Sequence, residues 1–295
     1  MKRKNTAAHT DYTPQMLPQN RKAIFFDVLQ LQWRKLLLLG GILVLFSLPL
    51  LLSAVFGSIY SANFIAAAEA SGLDPVLTAG GLRRFDLLHS AVNIGLFLIF
   101  LIGLAGVLRI LRQFAWEENV HMPTEFAAGI KNDYGQLALL GGLGGAVAFL
   151  CKWVLYFSTG YRSGITAAVS LIPLATSVFL LLPAACLCLA MIPVYANSLR
   201  ADLKNAFYVY FSAPLRVLGT LLVCAVVWVP CLLPRLFWQV IGHLFGFLTL
   251  PVILLAWLLF CFARFDVSIN AENCPELVGK GIFVPQSGTP PTERS

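Results

Sequence analysis

Six stretches of this chain run for about twenty residues or more with almost no charge, and few architectures tolerate that. They extend from Leu36 to Ile59, Leu87 to Leu111, Leu137 to Phe157, Ile165 to Ile192, Leu215 to Leu233 and Leu236 to Phe262. A helix that crosses a bilayer needs about 20 mostly apolar residues, because unpaired backbone groups are too costly in hydrocarbon. The expectation is an all-α polytopic membrane protein with about six transmembrane helices, arranged as three hairpins. Only Pro234 and Arg235 separate the last two runs. A tight hairpin is the first reading there, and a broken or re-entrant helix, with five full spans, is the alternative.

Charge decides how much else the chain can hold. Charged residues make up 12% of the sequence and hydrophobic ones 58%, whereas an ordinary soluble domain carries about 25% charge. The division expected is a polar N-terminal segment over 1–23, a transmembrane domain over 24–266 and a polar tail over 267–295. About 35 polar or amphipathic residues precede the first apolar run, which argues against a cleavable signal peptide. The net charge of +7 does not point to nucleic acid, because the basic residues cluster at the ends of apolar runs. They read as topology signals and as contacts for anionic lipid, so the bilayer is the partner expected first.

Orientation follows from where Lys and Arg fall in short loops. One side collects Lys2, Arg3, Lys4, Arg21, Lys22, Arg34, Lys35, Arg109, Arg112, Lys131, Arg200, Lys204, Arg216, Arg264, Lys280 and Arg294. The other holds Arg83, Arg84, Lys152, Arg162 and Arg235. The richer side is expected to be cytoplasmic, with both ends on it.

Behind the spans stands a repeat. Laying Phe25 on Phe126 puts Trp33 on Tyr134 and Gly40–Gly41 on Gly141–Gly142, and a looser third copy begins at Asn205. Each odd-numbered span is then entered through an amphipathic cytoplasmic segment with aromatics at headgroup depth. Gly141 and Gly145 form a small-xxx-small pair, expected to pack helices within the molecule.

Polar groups inside a membrane mark function by default, and here they are few. His89 lies near the outer end of the second run with Asn93 about a turn deeper, Lys152 closes the third, and His243 sits in the outer third of the last. A structural role is the bland alternative for both histidines. Pro49 lies inside the first run, and Pro173 and Pro183 inside the fourth. Such prolines free backbone carbonyls and in transporters mark hinges or substrate sites, though they are also common in ordinary membrane helices. Trp116, Glu117, Glu118 and Lys131 form the most polar internal loop, a candidate contact for a cytoplasmic partner. The paired glutamates are a feature of CAAX-type intramembrane proteases, but no arginine follows them, so catalysis is not expected. No cofactor fingerprint occurs, and Cys186 and Cys188, two apart, face opposite sides of a helix, a poor metal pair.

Trp33, Arg34, Lys35, Leu48 and Pro49, followed by Phe126, Gly129, Ile130, Lys131 and Asn132 and then Asn205, Ala206 and Pro214, resemble the YesL-like family of bacterial integral membrane proteins. The likeness covers about two-thirds of the chain in scattered blocks. It implies a bacterial plasma-membrane protein, in a family often associated with carbohydrate uptake and without known catalytic residues. Three functional readings follow. The first is an accessory or regulatory component linked to solute uptake, with other membrane subunits as partners. The second is a transporter or channel for an uncharged or amphiphilic solute, and the third a lipid-modifying enzyme, in which Glu117, Glu118 and His121 would have to converge.

Overall fold

A computed structural model describes residues 18–116, 120–158, 164–233 and 236–283 of the protein. It is an all-α polytopic membrane protein, with six helical stretches long and apolar enough to cross a bilayer. The helices are α1 (Arg21–Leu31), α2 (Trp33–Ala70), α3 (Pro75–Ala115), α4 (Met122–Ser158), α5 (Gly164–Thr176), α6 (Leu182–Met191), α7 (Leu199–Ser212), α8 (Pro214–Ala225), α9 (Leu236–Phe265) and α10 (Ala271–Asn273).

The first hairpin is longer than its apolar runs. Between them the chain stays helical through the alanine-rich stretch ending at Ala70, as good helix formers allow. Gly72, at φ +66°, makes the turn. Asp74 then caps α3 by accepting a hydrogen bond from the Val76 amide at 2.7 Å, with Pro75 in the first turn. The residues between the first two apolar runs therefore form paired helices rather than a loop.

Of the three entry segments, α1 and α7 are separate helices, while the one that starts at Met122 runs without a break into its span. The fourth span is continuous but irregular: α5 contains Pro173, a π-helical turn occupies Ser177–Leu181, and α6 opens with Pro183 in its first turn. The fifth passes from α8 into a 3-10 segment over Val226–Leu232. Pro234 and Arg235 lie outside the described residues, but their flanks form a hairpin. A Cβ on Gly242 would stand 2.9 Å from the Cys231 amide nitrogen, and one on Gly246 would strike the Trp228 ring.

α3 is the central helix, with every residue from Gly103 to Leu108 and from Ile110 to Ala115 buried against α2, α4 and α9. Two glycines permit the closest crossings. A Cβ on Gly40 would collide with the Leu248 carbonyl of α9, and one on Gly129 would stand 2.6 Å from the Ala105 carbonyl of α3. Gly141 and Gly145 meet Leu101 and Ile94 of α3, the intramolecular packing expected of that pair.

Both described ends lie on one face, here the terminal face. The Phe283 amide donates to the Pro18 carbonyl at 2.8 Å. Arg21 donates to the Lys280 carbonyl at 2.6 Å and pairs with Asp266 at 2.8 Å. The tail from Asp266 to Phe283 thus folds back over the ends of α1 and α3.

Candidate functional site

The polar groups gather in two clusters joined by α3 and α4, and an apolar groove lies between α4 and the fourth span. At the distal end, opposite the termini, Lys152 of α4 donates to Asp86 of α3 at 2.6 Å and to the Ser90 hydroxyl at 2.7 Å. The Tyr156 hydroxyl donates to the second Asp86 oxygen. One turn deeper, Ser53 of α2 lies 2.8 Å from His89 Nε2 and donates to Asn93 Oδ1 at 2.7 Å. His89 stacks on Phe85, and Gly57 leaves room for its imidazole. A cavity of about 320 Å³ opens beside this cluster, lined by Asn93, Ser90 and Lys152 among apolar neighbours.

The predicted residues His89 and Asn93 are thus brought together, through a serine that sequence reasoning passed over. The hydrogen-bond pattern also says what the histidine does. His89 Nε2 lies 3.0 Å from the Ser53 backbone carbonyl, which can only accept, so Nε2 carries the proton. In this arrangement His89 donates to Ser53 and is not placed to take its proton. The cluster clamps α2 to α3.

His243 lies elsewhere. Its Nδ1 is 2.6 Å from the Gln239 carbonyl one turn back, and its ring meets Trp228 edge-on, so the structure does not bring the two histidines together. Pro49 sits within a continuous α2, whereas Pro173 and Pro183 flank the π-helical turn.

The second cluster lies on the terminal face. Arg109 of α3 pairs with Glu125 at 3.2 Å and Asp133 at 3.6 Å, both on α4. Arg112 donates to the Pro193 carbonyl at 2.5 Å. Gln136 donates to the Asn197 carbonyl, and Asn197 in turn donates to Asp202, which is fully buried. Burial pushes the Asp202 carboxyl above its ordinary range, with the Asn197 hydrogen bond opposing. Arg109, Arg112, Asp133, Gln136 and Asn197 line a cavity of about 410 Å³ between α3, α4 and the α6–α7 connection. Asp133 Oδ2 and Gln136 Oε1 are buried there without a hydrogen-bond donor, and so is Asp202 Oδ2 behind Asn197.

The Arg109–Asp133 and Asp86–Lys152 pairs are spaced to match a bilayer core. From Asp133 to Lys152, α4 rises about 28 Å, and from Asp86 to Arg109, α3 rises about 34 Å. The hydrocarbon core is about 30 Å thick. The seam between the pairs is apolar, built on Phe97, Leu101, Leu104, Ala105 and Leu137.

Trp116 is occupied within the molecule. Arg112 lies 4.6 Å from its ring centroid, Lys280 lies 3.9 Å away, and Phe262 packs beside it. Lys131 is exposed. Glu117 and Glu118 lie outside the described residues, and His121 contacts Thr124 at 2.7 Å near the start of α4.

An apolar groove of about 480 Å³ runs between α4 and the fourth span, with Leu203 and Phe207 of α7 at one end and Leu155 at the other. Its wall includes Ser177, Val178 and Leu181 of the π-helical turn. Irregular turns of this kind concentrate at functional sites. Comparison with family models, curated proteins and solved structures finds no match for the chain.

Proposed function

We propose that the protein is an accessory or regulatory membrane component that docks another membrane protein through the distal end of the α2–α3 hairpin. The length of that hairpin carries the reading. Beyond the level of the distal cluster, α2 rises about 25 Å from Ser53 to Ala70, and α3 begins about 16 Å before Asp86. On this projection Val76 and Leu77 are 76% and 63% exposed, with Leu73 and Ile65 exposed nearby. An apolar tip held outside hydrocarbon is a surface that a partner would cover.

The terminal face, with its excess of Lys and Arg, is assigned to the cytoplasm, so the tip lies outside. The YesL-like resemblance supports a bacterial plasma membrane and a link to solute uptake, carbohydrate included. No catalytic role is part of this reading.

A photoreactive amino acid at Val76, in cells at native expression, tests the proposal. A defined membrane-protein adduct that vanishes in the Leu77→Asp variant is the expected result. Adducts to lipid alone would overturn it.

The π-helical turn in the fourth span favours a second reading, a carrier for an amphiphilic solute, since such turns concentrate at functional sites. Reconstituted vesicles that move a fluorescent amphiphile only when the protein is present would select it. Vesicles as tight as protein-free ones would remove it.

A further inference from the structure

One face of α4 changes chemistry along its length. Asp133 and Gln136 line the charged cavity, and Leu140, Gly144, Val147 and Cys151 line the apolar groove. These residues follow one another at helical spacing, so they form a single stripe. Polarity switches between Gln136 and Leu140, about one turn apart. Across from the stripe stands the chain from α6 to α7, whose connection closes the cavity and whose helices close the groove. A polar chamber and an apolar trough set end to end along one helix face have the outline of a phospholipid.

We infer that this stripe binds an amine-bearing phospholipid of the terminal-face leaflet, with its headgroup in the cavity and an acyl chain in the groove. The walls select the headgroup. Arg109 and Arg112 supply the positive side that a phosphate requires. Asp133 is only 7% exposed, and its Oδ2 has no hydrogen-bond donor, although Arg109 stands 3.6 Å away. Gln136 Oε1 is likewise buried without a donor. A primary ammonium brings N–H donors to both oxygens, and a choline headgroup brings none. A purely anionic headgroup would bring no ammonium to the Asp133 carboxyl. The groove then takes hydrocarbon, because the medium around it is hydrocarbon, and a Cβ on Gly144 would meet nothing within 4 Å. The inference is independent of the docking surface at the hairpin tip.

The test is native mass spectrometry of the purified full-length protein. It is stripped of lipid and then given equal amounts of phosphatidylethanolamine, phosphatidylcholine and phosphatidylglycerol with identical acyl chains. Retention of phosphatidylethanolamine over both others is expected, with the preference falling roughly tenfold in Asp133→Asn and in Gln136→Leu, as the loss of one hydrogen bond to a charged group implies. Gly144→Leu should lower retention of all three lipids, since its side chain fills the trough. Equal retention, or preference for the choline or glycerol lipid, overturns the inference. So does an ethanolamine preference that survives in both headgroup variants.

Discussion

The Tyr210 hydroxyl donates to the Phe179 carbonyl. In a regular α-helix that carbonyl would accept from the amide of residue 183, but residue 183 is proline and has no N–H. α7 packs along α6 and, through Tyr210, returns from a different part of the chain the donor that Pro183 removed. The donor missing from the fourth span is therefore replaced by its neighbour rather than left to lipid, where an unpaired carbonyl is most costly.

Tyr210→Phe should lower stability by about 1–3 kcal/mol, the usual cost of stranding a buried acceptor. The partner experiment is Pro183→Ala, which restores an amide to the helix. In that background the cost of Tyr210→Phe should shrink, giving a coupling that a denaturation-based double-mutant cycle resolves. Independent, additive effects would mean that the two residues do not share the Phe179 carbonyl.

Removing one member of the distal ion pair should hurt more than removing both charges. Lys152→Met leaves the Asp86 carboxylate with the Tyr156 hydroxyl alone. The pair is about one-third exposed, so the loss falls between exposed and buried cases, about 1–3 kcal/mol. Asp86→Asn combined with Lys152→Met should recover part of it. Thermal unfolding of the three variants in one lipid mixture provides the comparison.

Neighbouring glycines should respond in opposite ways. Gly40→Ala drives a methyl group into the Leu248 carbonyl, whereas nothing lies within 4 Å of a Cβ on Gly41. The first substitution should destabilise by about 1–3 kcal/mol through overpacking. The second should be neutral or gain up to about 1 kcal/mol from helix propensity. Melting temperatures that shift equally would contradict the close crossing of α2 and α9.

Asp202 should make stability fall as pH rises. Its carboxyl is held above the ordinary range by burial. The native state therefore keeps its proton longer than the unfolded chain does. Stability is greatest below the unfolded-state value and declines as pH climbs from there toward the raised native value. Asp202→Asn retains the hydrogen bond from Asn197 and removes this slope. It should raise Tm at neutral pH, with an advantage that fades as the solution is made acidic.

How far these features can be read from the chain depends on the distance between partners. The six spans announce themselves because hydrocarbon imposes one composition on twenty residues in a row. His89 and Asn93 were visible as polar residues in an apolar run, and Pro173 and Pro183 as helix breakers. Their partners were not. Asp86 lies just before the second apolar run, in what reads as a loop, and its cation is 66 residues away. Lys152 alone suggests only a side chain reaching for an interface. Ser53 gives no signal, because a serine in a membrane helix commonly bonds its own backbone. The charged cavity was equally hidden: Arg109 and Arg112 read as topology signals, and nothing local reveals that Asp133 and the α6–α7 connection close around them. The tip of α3 had a local signature, Asp74 followed by Pro75, that marks a helix start once the apolar run is not required to coincide with the helix.

The hydrogen bond from Phe283 to Pro18 has a bearing on how the protein is made. Pro18 leaves the ribosome first among the described residues and Phe283 last, with every span between them. The seat of the tail includes Arg21 from the beginning of that order and Trp116 from its middle, so the terminal face can close only after the final helix has been inserted. Until that moment Arg21 lacks its partner on Asp266, and the Trp116 ring lacks Lys280. A quality-control protease that surveys this face would find unfinished chains open and finished ones sealed.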